Sequence, residues 1–535
     1  MRQGVGVNLR DAVRMGIRHA TRGEFDDPAD PGIVVVACTA HDAAVETAGC
    51  AVVEHRLPLT EATPLYAASL AKLVTAMCVH RLALEGRLDL EATISTWFPQ
   101  VDAGDRITVR HLLLHRSGLP EYHAVRLVAG YAVEDRLLPD DVRRLVDSMD
   151  VLFEPGTQVS YNNTNYAMLA MIVADVTGLP FRQAADEIVF APAGMARAFV
   201  RDDPGTFVDG MANGYIRDGH TWQRAVHGST SVGDGGMWWS GHDLLAFGRM
   251  LLRSAVAGDG DRDAAIDAMR RQVPLADRSL PTLATGCTVA GDGSWFGGLA
   301  EFTGFCAELR VYPQHGVALG AMSNRQDGHL SRLLDSVAER LDIPPPVVPP
   351  PPARRPGAPP FGALIGMGGA PWHFRPTSDA DGSATDSIAV DVGTLSFHLV
   401  ASGDGWQVSE LPSHSAGWEG DEFVVREGPE ERARLREVGG AVPSAAVLAG
   451  LTGWWWCPAA GATLRVAENG EGLTLRRGQS APEPLVPIGD REGRWVLATP
   501  WGLLELDHDG DQGRVVMPRA EGLRIRRLVA RDVRS

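Results

Sequence analysis

Apolar side chains recur every four residues near the start of the chain, at Leu9, Val13 and Ile17. This spacing places them on one side of a helix, so the pattern predicts an amphipathic helix over residues 8–21. Apolar runs then predict a buried strand at 32–37 and a second strand near 48–55. The amino-terminal part is therefore expected to begin with one helix followed by two strands.

A second apolar face predicts a helix that begins at Ser69. Its members recur at helical spacing and are Val74, Met77, Cys78 and Leu82. Gly86 follows the last of them, and glycine often ends a helix because it adopts left-handed backbone angles without steric cost. A short helix that runs into a turn is predicted within 107–120.

Helices and strands continue to alternate up to residue 343. Helices are predicted over 139–149 and 164–177, and a capping-box sequence at Ser240–Asp243 opens another that runs to about Arg253. Strand-like runs at 295–311 and 316–322 precede a final amphipathic helix, whose apolar positions are Leu330, Leu333, Leu334, Val337 and Leu341.

The composition changes abruptly at residues 344–360, where ten prolines occur. Proline favours the extended polyproline II conformation, so this segment predicts a linker. Beyond it, short alternating runs separated by Gly, Asp and Ser turns predict β structure only. We therefore expect a first domain at 1–343, the linker at 344–360, and two small antiparallel β-barrel domains at 361–440 and 441–535.

Charge and composition limit the partners and the location. The formal net charge is −17 at pH 7, which disfavours binding to nucleic acid or to an anionic membrane. No apolar stretch approaches the roughly 20 residues that a membrane span needs, and residues 1–25 lack the apolar core of an export signal. The six cysteines are scattered without a C-x-x-C pair, so we expect reduced thiols, a cytoplasmic location and no cysteine-bound metal.

Lys72 is the only lysine in 535 residues, and the other 49 of the 50 Lys and Arg side chains are arginines. Lysine can give up its proton when desolvated, whereas arginine stays protonated. A chain that keeps one lysine is therefore expected to need an amine that can be neutral there. Ser69 lies three residues earlier, on the same helix face. The pair suggests a serine nucleophile with a lysine base, and the alternative is a capping serine beside a solvated lysine.

Further motifs follow in order, namely Tyr161-x-Asn163 and the segments Leu112–Pro120, Phe153–Gly156 and Ala191–Met195. Together with Ser69-x-x-Lys72 they resemble the serine β-lactamase and penicillin-binding-protein superfamily, in particular its class C and D-aminopeptidase branch. The resemblance implies an α/β (α+β) β-lactamase/transpeptidase-like fold, with an antiparallel sheet flanked by helices and a helical subdomain. The two β-barrel domains that follow are similar to the three-domain layout of the D-aminopeptidases.

Chemistry and resemblance suggest the same roles for these residues. A serine hydroxyl is a weak nucleophile until a base removes its proton, so Ser69 would form an acyl-enzyme with Lys72 and Tyr161 handling protons. Tyr161 would relay a proton to the leaving group. Asn163 can hold Lys72 and a substrate carbonyl through hydrogen bonds. No metal or cofactor is expected for this chemistry.

The third motif of the family departs from its usual form. Relatives carry Lys-Thr-Gly or His-x-Gly, whereas this sequence has no cation there and reads Trp295-Phe296-Gly297-Gly298-Leu299. Either Trp295 or Phe296 can take the first position of the motif. An aromatic residue there resembles the esterase and acyltransferase members, and weak recognition of carboxylate-bearing substrates such as β-lactams is expected. A backbone N–H of Gly298 or Leu299 can still pair with that of the nucleophile as an oxyanion hole.

Other candidates have structural interpretations. His111 and His115 have the spacing of a zinc-protease motif, but Leu112 stands where that motif needs glutamate, so metal binding is not expected. The segment Gly233–Gly236 is expected to form a turn at the edge of the cleft. Trp454–Trp456 is expected to belong to an apolar core.

The sequence thus predicts a serine hydrolase that cleaves or transfers the acyl group of a small ester, amide or D-residue-containing peptide. A D-aminopeptidase-type peptidase and a peptide transacylase or cyclase are alternatives within this class. A non-catalytic binding or scaffold protein is the alternative outside it, and the intact Ser69, Lys72, Tyr161 and Asn163 argue against that. The expected partner is a small-molecule or peptide substrate, and the sequence leaves the oligomeric state open.

Overall fold

The structure is a computed structural model. The residues it describes are 8–20, 25, 27–132, 135–218, 221–226, 231–257, 263–271, 284–290, 293–326, 328–345, 362–366, 371–378, 384–392, 395–402, 405–408, 414–419, 422–427, 430–437, 444–460, 462–469, 472–491, 494–499, 502–508, 511–516 and 523–528. The predicted linker at 344–360 lies outside the described residues, apart from its first two prolines.

A six-stranded antiparallel sheet organises the amino-terminal part. Three of its strands, Ile33–Cys38, Phe305–Tyr312 and Val317–Ser323, are buried along their whole length. A strand buried on both faces needs helices on both sides of the sheet. In spatial order the strands are Thr288–Val289, Phe296–Phe302, Phe305–Tyr312, Val317–Ser323, Ile33–Cys38 and Ala43–Ala48.

Helices cover both faces of this sheet. Leu9–Ala20 and Leu330–Arg340, the first and last helices of this part, pack together on one face. Ala71–Leu84 and Gly241–Val256 belong to a second apolar cluster on the other face. All four helices lie close to their predicted positions. Among the described residues, no helix combines the length and the apolar character that crossing a membrane would require.

A helical subdomain and several short sheets complete this part. The further helices are Val109–Leu113, Tyr122–Val128, Pro139–Val146, Asn163–Thr177, Phe181–Ala185, Ala191–Ala193 and Ala264–Arg270, with a π turn at Asp186–Phe190 and 3₁₀ turns at Val53–His55, Ala68–Leu70 and Ile94–Thr96. The short sheets pair Cys50–Val52 with Leu57–Pro58, Met237–Trp239 with both Leu65–Tyr66 and Phe199–Val200, and Gly214–Asp218 with Thr221–Ala225.

Two closed, eight-stranded antiparallel barrels follow. The first consists of Gly362–Gly366, Pro371–Ser378, Ala384–Val392, Leu395–Ser402, Gly405–Val408, His414–Glu419, Glu422–Glu427 and Glu430–Glu437. After the helix Ala445–Leu451, the second consists of Gly453–Cys457, Ala462–Asn469, Gly472–Arg477, Glu483–Arg491, Arg494–Thr499, Gly502–Asp507, Gln512–Val516 and Leu523–Arg527. In Gly472–Arg477 every second residue is buried, the alternation that fills a barrel interior with side chains.

The second barrel packs closely against the helical subdomain at one hairpin. A side-chain carbon on Gly478 would lie 2.6 Å from the carbonyl oxygen of Ala129, and one on Gly130 would lie 2.5 Å from that of Arg477. Both glycines have positive φ, so only glycine fits here without strain. The buried Arg477 side chain also donates to the carbonyl of Leu127. These two glycines therefore allow the backbone of the second barrel to contact the backbone of the helical subdomain.

Two predictions about strands are wrong in their bounds. Within the range 48–55, Cys50–Val52 forms a short strand and Val53–His55 a 3₁₀ turn, whereas the edge strand of the large sheet lies earlier, at Ala43–Ala48, and ends before Gly49, whose φ is +75. The run predicted at 295–311 is two strands, since it is interrupted by a turn in which Gly304 has φ +82. Apolar content alone does not reveal such a turn, because apolar residues, Phe302 and Phe305, lie on both sides of it.

Candidate active site

Ser69 sits in the 3₁₀ turn Ala68–Leu70, and the α-helix begins only at Ala71, two residues after its predicted start. Ala68 has left-handed backbone angles, with φ +45. This region costs a non-glycine residue roughly 1 kcal/mol or more and persists only where surrounding contacts hold it. Here the N–H of Ala67 is hydrogen-bonded to a neighbouring strand. The turn therefore fixes the serine rigidly at the start of the helix.

The Lys72 ammonium is buried and contacts three oxygen atoms. Its Nζ lies 3.0 Å from Ser69 Oγ, 2.7 Å from Asn163 Oδ1 and 2.9 Å from the carbonyl oxygen of Asp234. A neutral amine has two N–H groups and one lone pair. Because the Asn163 and Asp234 oxygens can only accept, the lone pair of a neutral Lys72 would face the Ser69 hydroxyl. The arrangement suits a base acting on the serine.

Tyr161 contacts the serine from a second direction. Its hydroxyl donates to Ser69 Oγ over 2.9 Å. Its ring also lies beneath the lysine, with Lys72 Nζ 4.9 Å from the ring centroid. A second ring, that of Tyr166, lies 5.8 Å from the same nitrogen, and its hydroxyl donates to the carbonyl of Leu113. Ser69 Oγ thus lies between an amine and a phenol, each within hydrogen-bond distance.

The Tyr161-x-Asn163 motif lies at the start of the helix Asn163–Thr177. The residue between its two members, Asn162, caps this helix by accepting the N–H of Thr164 through Oδ1 over 2.7 Å. Its Nδ2 donates to the carbonyl of Leu119. The cap holds Asn163 at a fixed point of the cleft, which explains how its amide oxygen reaches Lys72.

Asp234 was not predicted as a site residue. It belongs to Gly233–Gly236, which lies inside the site and not merely at its edge. Its carboxylate is fully buried, and Oδ2 accepts the hydroxyls of Tyr122 over 2.8 Å and of Ser231 over 3.2 Å. Burial raises the pKa of Asp234, and the charge of Lys72 opposes that rise. A buried carboxyl group thus lies next to the candidate base.

The glycines beside Asp234 explain how this loop reaches the lysine. A side-chain carbon on Gly233 would lie 2.5 Å from the carbonyl oxygen of Tyr166, and one on Gly235 would lie 2.4 Å from the hydroxyl oxygen of Tyr66. The carbonyl of Gly233 also accepts the Thr75 hydroxyl over 2.7 Å. The Gly-Asp-Gly-Gly sequence was therefore the available signal for a backbone that approaches the site closely.

Glu121 is a second buried carboxylate in this region. One of its oxygens, Oε2, caps the helix Tyr122–Val128 by accepting the N–H of Ala124 over 3.1 Å. Its charge contributes to the raised pKa of Asp234, so the two groups lie within electrostatic range. Among the described residues, Glu121 Oε1 and Asp234 Oδ1 have no hydrogen-bond partner. Both oxygens are buried, so neither has a hydrogen bond to protein or exposure to solvent in this part of the chain.

The strand Phe296–Phe302 forms the other wall and favours one register of the third motif. A side-chain carbon on Gly298 would lie 3.1 Å from Leu70 Cδ2, beside the nucleophile. The family glycine is thus best matched by Gly298, with Phe296 at the cation position. Leu299 follows Gly298 and is 52% exposed. Leu299 is therefore the residue that directly follows the glycine abutting the serine turn.

Trp295 is not on the site face of this strand. Its ring packs on the opposite face, with the Arg310 guanidinium carbon 5.2 Å from the ring centroid. Phe296 is buried on the site side, and there the Arg270 guanidinium carbon lies 4.7 Å from its ring centroid. Gly297, the next residue along the chain, closely approaches the backbone of Leu309 on the neighbouring strand. Of the two aromatic residues, only Phe296 belongs to the site wall.

The two histidines of the zinc-like spacing have separate contacts. His111 Nδ1 accepts the N–H of Thr108 at the start of its own helix. His115 is buried between the rings of Tyr161 and Tyr166, with centroid distances of 4.6 and 5.0 Å. No cluster of His, Cys, Asp and Glu suited to a metal ion occurs among the described residues.

Comparison with known proteins identifies a family and several relatives. Residues 21–342 match the Beta-lactamase family model. A D-aminopeptidase of Gluconobacter oxydans (strain 621H) is 31% identical over 227 residues, which are 42% of this chain and 41% of that protein. The chain therefore matches less than half the length of this relative.

Two solved structures share the fold. The D-amino acid amidase of Ochrobactrum anthropi SV3 has a TM-score of 0.53 at 21% identity, covering 62% of this chain and 98% of that one. The octameric penicillin-binding protein homologue of Pyrococcus abyssi has a TM-score of 0.54 at 19% identity, covering 79% and 98%. With a family model that matches more than half of its length, this chain belongs to the β-lactamase family.

Proposed function

We propose that this chain is a serine hydrolase that forms an acyl-enzyme on Ser69. One observation carries the proposal: Ser69 Oγ lies 3.0 Å from Lys72 Nζ and 2.9 Å from Tyr161 Oη. Asn163 Oδ1 and the carbonyl oxygen of Asp234 accept the two N–H groups of a neutral Lys72, so its lone pair is left for the serine proton. A binding protein without catalytic activity would have no need of this arrangement or of a single retained lysine.

Acylation follows from these contacts. Ser69 Oγ attacks the acyl carbon while its proton moves to Lys72 Nζ, and the carbonyl oxygen becomes an oxyanion. The N–H groups of Ser69 and Leu299 are the proposed donors to that oxyanion. When the bond to the leaving group breaks, Tyr161 gives its proton to the departing nitrogen or oxygen and is reprotonated from Lys72. Water then attacks the ester formed on Ser69. Lys72 and Tyr161 take a proton from this water and deliver it to Ser69 Oγ as the acid product leaves.

The proposed acyl donor is an amide or short peptide that begins with a D-residue and carries a free amine. The names of the relatives, D-aminopeptidase and D-amino acid amidase, support this class. Glu121, whose Oε1 has no hydrogen-bond partner among the described residues, is the proposed acceptor for that ammonium group. An ester donor is the second candidate, which the aromatic Phe296 at the cation position favours.

Initial rates on three acyl donors test this assignment: D-phenylalanine amide, L-phenylalanine amide and p-nitrophenyl acetate. We expect the D-amide to be turned over faster than the L-amide, and Glu121→Gln to lose rate on the amides while retaining it on the ester. Equal rates on the two amides, or a Glu121→Gln loss that is the same for the ester, would contradict the substrate class. Faster turnover of the ester than of both amides would favour the second candidate.

A further inference from the structure

His115 contacts the segment Ser160–Asn162 in three ways, and this segment contains the tyrosine proposed to move protons. The carbonyl oxygen of His115 accepts the N–H of Ser160 over 2.9 Å. Its Nδ1 accepts the N–H of Asn162 over 3.0 Å. Between these two amides, the Tyr161 ring stacks on the imidazole with a centroid distance of 4.6 Å and an interplanar angle of 31°. One residue therefore holds the segment on both sides of Tyr161, through its carbonyl oxygen on one side and its imidazole on the other.

The backbone of His115 indicates that this placement has a cost. Its φ is +56, in the left-handed region that few non-glycine residues occupy. Its side chain is also buried, at 4% exposure. Such conformations persist where surrounding contacts determine them, and they concentrate at functional sites. The contacts of His115 include those to Ser160, Tyr161, Asn162 and the flanking ring of Tyr166, and Asn165 Nδ2 lies 3.5 Å from the same Nδ1.

We propose that His115 is a positioning residue for Tyr161, acting chiefly through the hydrogen bond from Asn162 N–H to its Nδ1. The proposal rests on the proposed acyl transfer to Ser69. Nδ1 must be unprotonated to accept, so the neutral ring carries its proton on Nε2. Losing this acceptor frees the peptide next to Tyr161 and moves its hydroxyl relative to Ser69 Oγ. Because a displacement of about 1 Å at a reacting group can cost about 10²-fold, a large kinetic effect is expected without any contact to substrate.

Two substitutions separate the contacts of the imidazole. His115→Asn keeps an acceptor in the place of Nδ1, since Asn Oδ1 is attached to the same carbon, and asparagine tolerates left-handed angles. It loses the stacking surface. His115→Phe keeps a ring between the two tyrosines and loses the acceptor. We therefore expect His115→Asn to acylate faster than His115→Phe.

A double-mutant cycle with Tyr161→Phe distinguishes positioning from general damage to the fold. The readout is the rate of acylation by D-phenylalanine amide, whose leaving group needs a proton from Tyr161, with thermal unfolding measured in parallel. We expect His115→Phe to lower this rate about 10²-fold in the native background and by about twofold or less in the Tyr161→Phe background. His111→Phe is the matched control, because His111 lies one helical turn earlier and contacts no site residue named above.

Each result bears on a separate claim. An equal rate loss in both backgrounds, or His115→Asn slower than His115→Phe, would overturn the positioning role. If His115→Phe does not fold, His115→Leu, which also lacks the acceptor, replaces it in the cycle and is judged by the same comparison. Absence of any acylation of the native protein would instead refute the proposed acyl-enzyme, so failure of the two proposals is distinguishable.

Discussion

Tyr161→Phe removes one oxygen atom from the site and leaves its packing in place. The lost hydroxyl lies 2.9 Å from Ser69 Oγ, whereas the ring that stacks on His115 is kept. Proton transfer by a positioned side chain typically contributes about 10²–10⁴-fold. At 1.36 kcal/mol for each tenfold change, this corresponds to a barrier increase of about 3–5 kcal/mol. We expect kcat to fall by that factor on an amide, whose leaving group needs a proton.

Tyr166→Phe is the matched control. The Tyr166 ring also lies near Lys72 and stacks on His115, but its hydroxyl donates to the carbonyl of Leu113 over 3.1 Å and not to the serine. Its removal leaves a buried carbonyl without that donor, which costs about 1–3 kcal/mol of stability. The two variants should therefore differ in opposite directions: Tyr161→Phe loses activity and keeps its melting temperature, and Tyr166→Phe loses melting temperature and keeps activity.

Steady-state kinetics and differential scanning fluorimetry of both variants are sufficient to test this. Because both rings remain, a difference between the variants must come from the hydroxyl groups. The reasoning is refuted if Tyr161→Phe retains activity within about threefold, far less than a proton-transfer group contributes. Equal activity losses in the two variants would also refute it, since general disturbance of the site would then explain both.

Three further predictions concern charged groups. Lys72→Arg should abolish acylation while the protein still unfolds cooperatively, because arginine keeps the charge but cannot act as a base; turnover near the native rate contradicts this. Burial raises the pKa of Asp234, so this carboxyl group binds a proton more readily in the folded than in the unfolded protein. Its contribution to the free energy of unfolding therefore becomes less favourable as the pH rises above about 4. The melting temperature of Asp234→Asn should therefore improve relative to the native protein between pH 4 and 8, and an unchanged difference across that range would show the sign to be wrong. Glu308 forms a buried ion pair with Arg310 Nε at 2.5 Å, so Glu308→Ala should lower the free energy of unfolding by about 3–5 kcal/mol. Asp335→Ala removes the exposed partner of the same arginine and should lower it by about 1 kcal/mol or less. Similar losses for the two variants in denaturant titrations would contradict this.

The pair Ser69 and Lys72 was predictable from local geometry, whereas Tyr161 and Asn163, 92 and 91 residues away from their partners, were predicted from the resemblance to the family. Ser69 and Lys72 are one helical turn apart, so any helix there brings them together. Asn163 follows Asn162, and asparagine is a residue type that commonly caps the start of a helix. The uniqueness of Lys72 was visible in composition alone.

The rest of the site depends on long-range contacts that leave little trace in sequence. Asp234 reaches Lys72 through its carbonyl oxygen, and every residue has such an oxygen, so its type predicts nothing. The choice between Trp295 and Phe296 depends on which face of the strand each occupies. Alternation along a strand gives two faces but does not say which of them lies against the site. The close approach of Leu70 to Gly298 favours Phe296 as the residue on the site face.

The carboxy-terminal part was predicted at the level of architecture. Alternating runs and turn residues indicated two small β domains, and the described residues form two closed barrels. The contact of Gly478 with Ala129 was not predictable, since an isolated glycine is equally typical of an ordinary turn. The domain boundaries and the cytoplasmic location stay predictions, although all six cysteines are free and buried in the structure.

The central claim is that Ser69 carries the acyl group, and intact-mass spectrometry with peptide mapping tests it most directly. The protein is mixed with p-nitrophenyl acetate, quenched in acid and digested, with Ser69→Ala treated in the same way. The proposal predicts one acyl group per chain, located on the peptide that contains Ser69 and absent from the variant. An acyl group on another residue, the same adduct in Ser69→Ala, or no adduct from any acyl donor would contradict it.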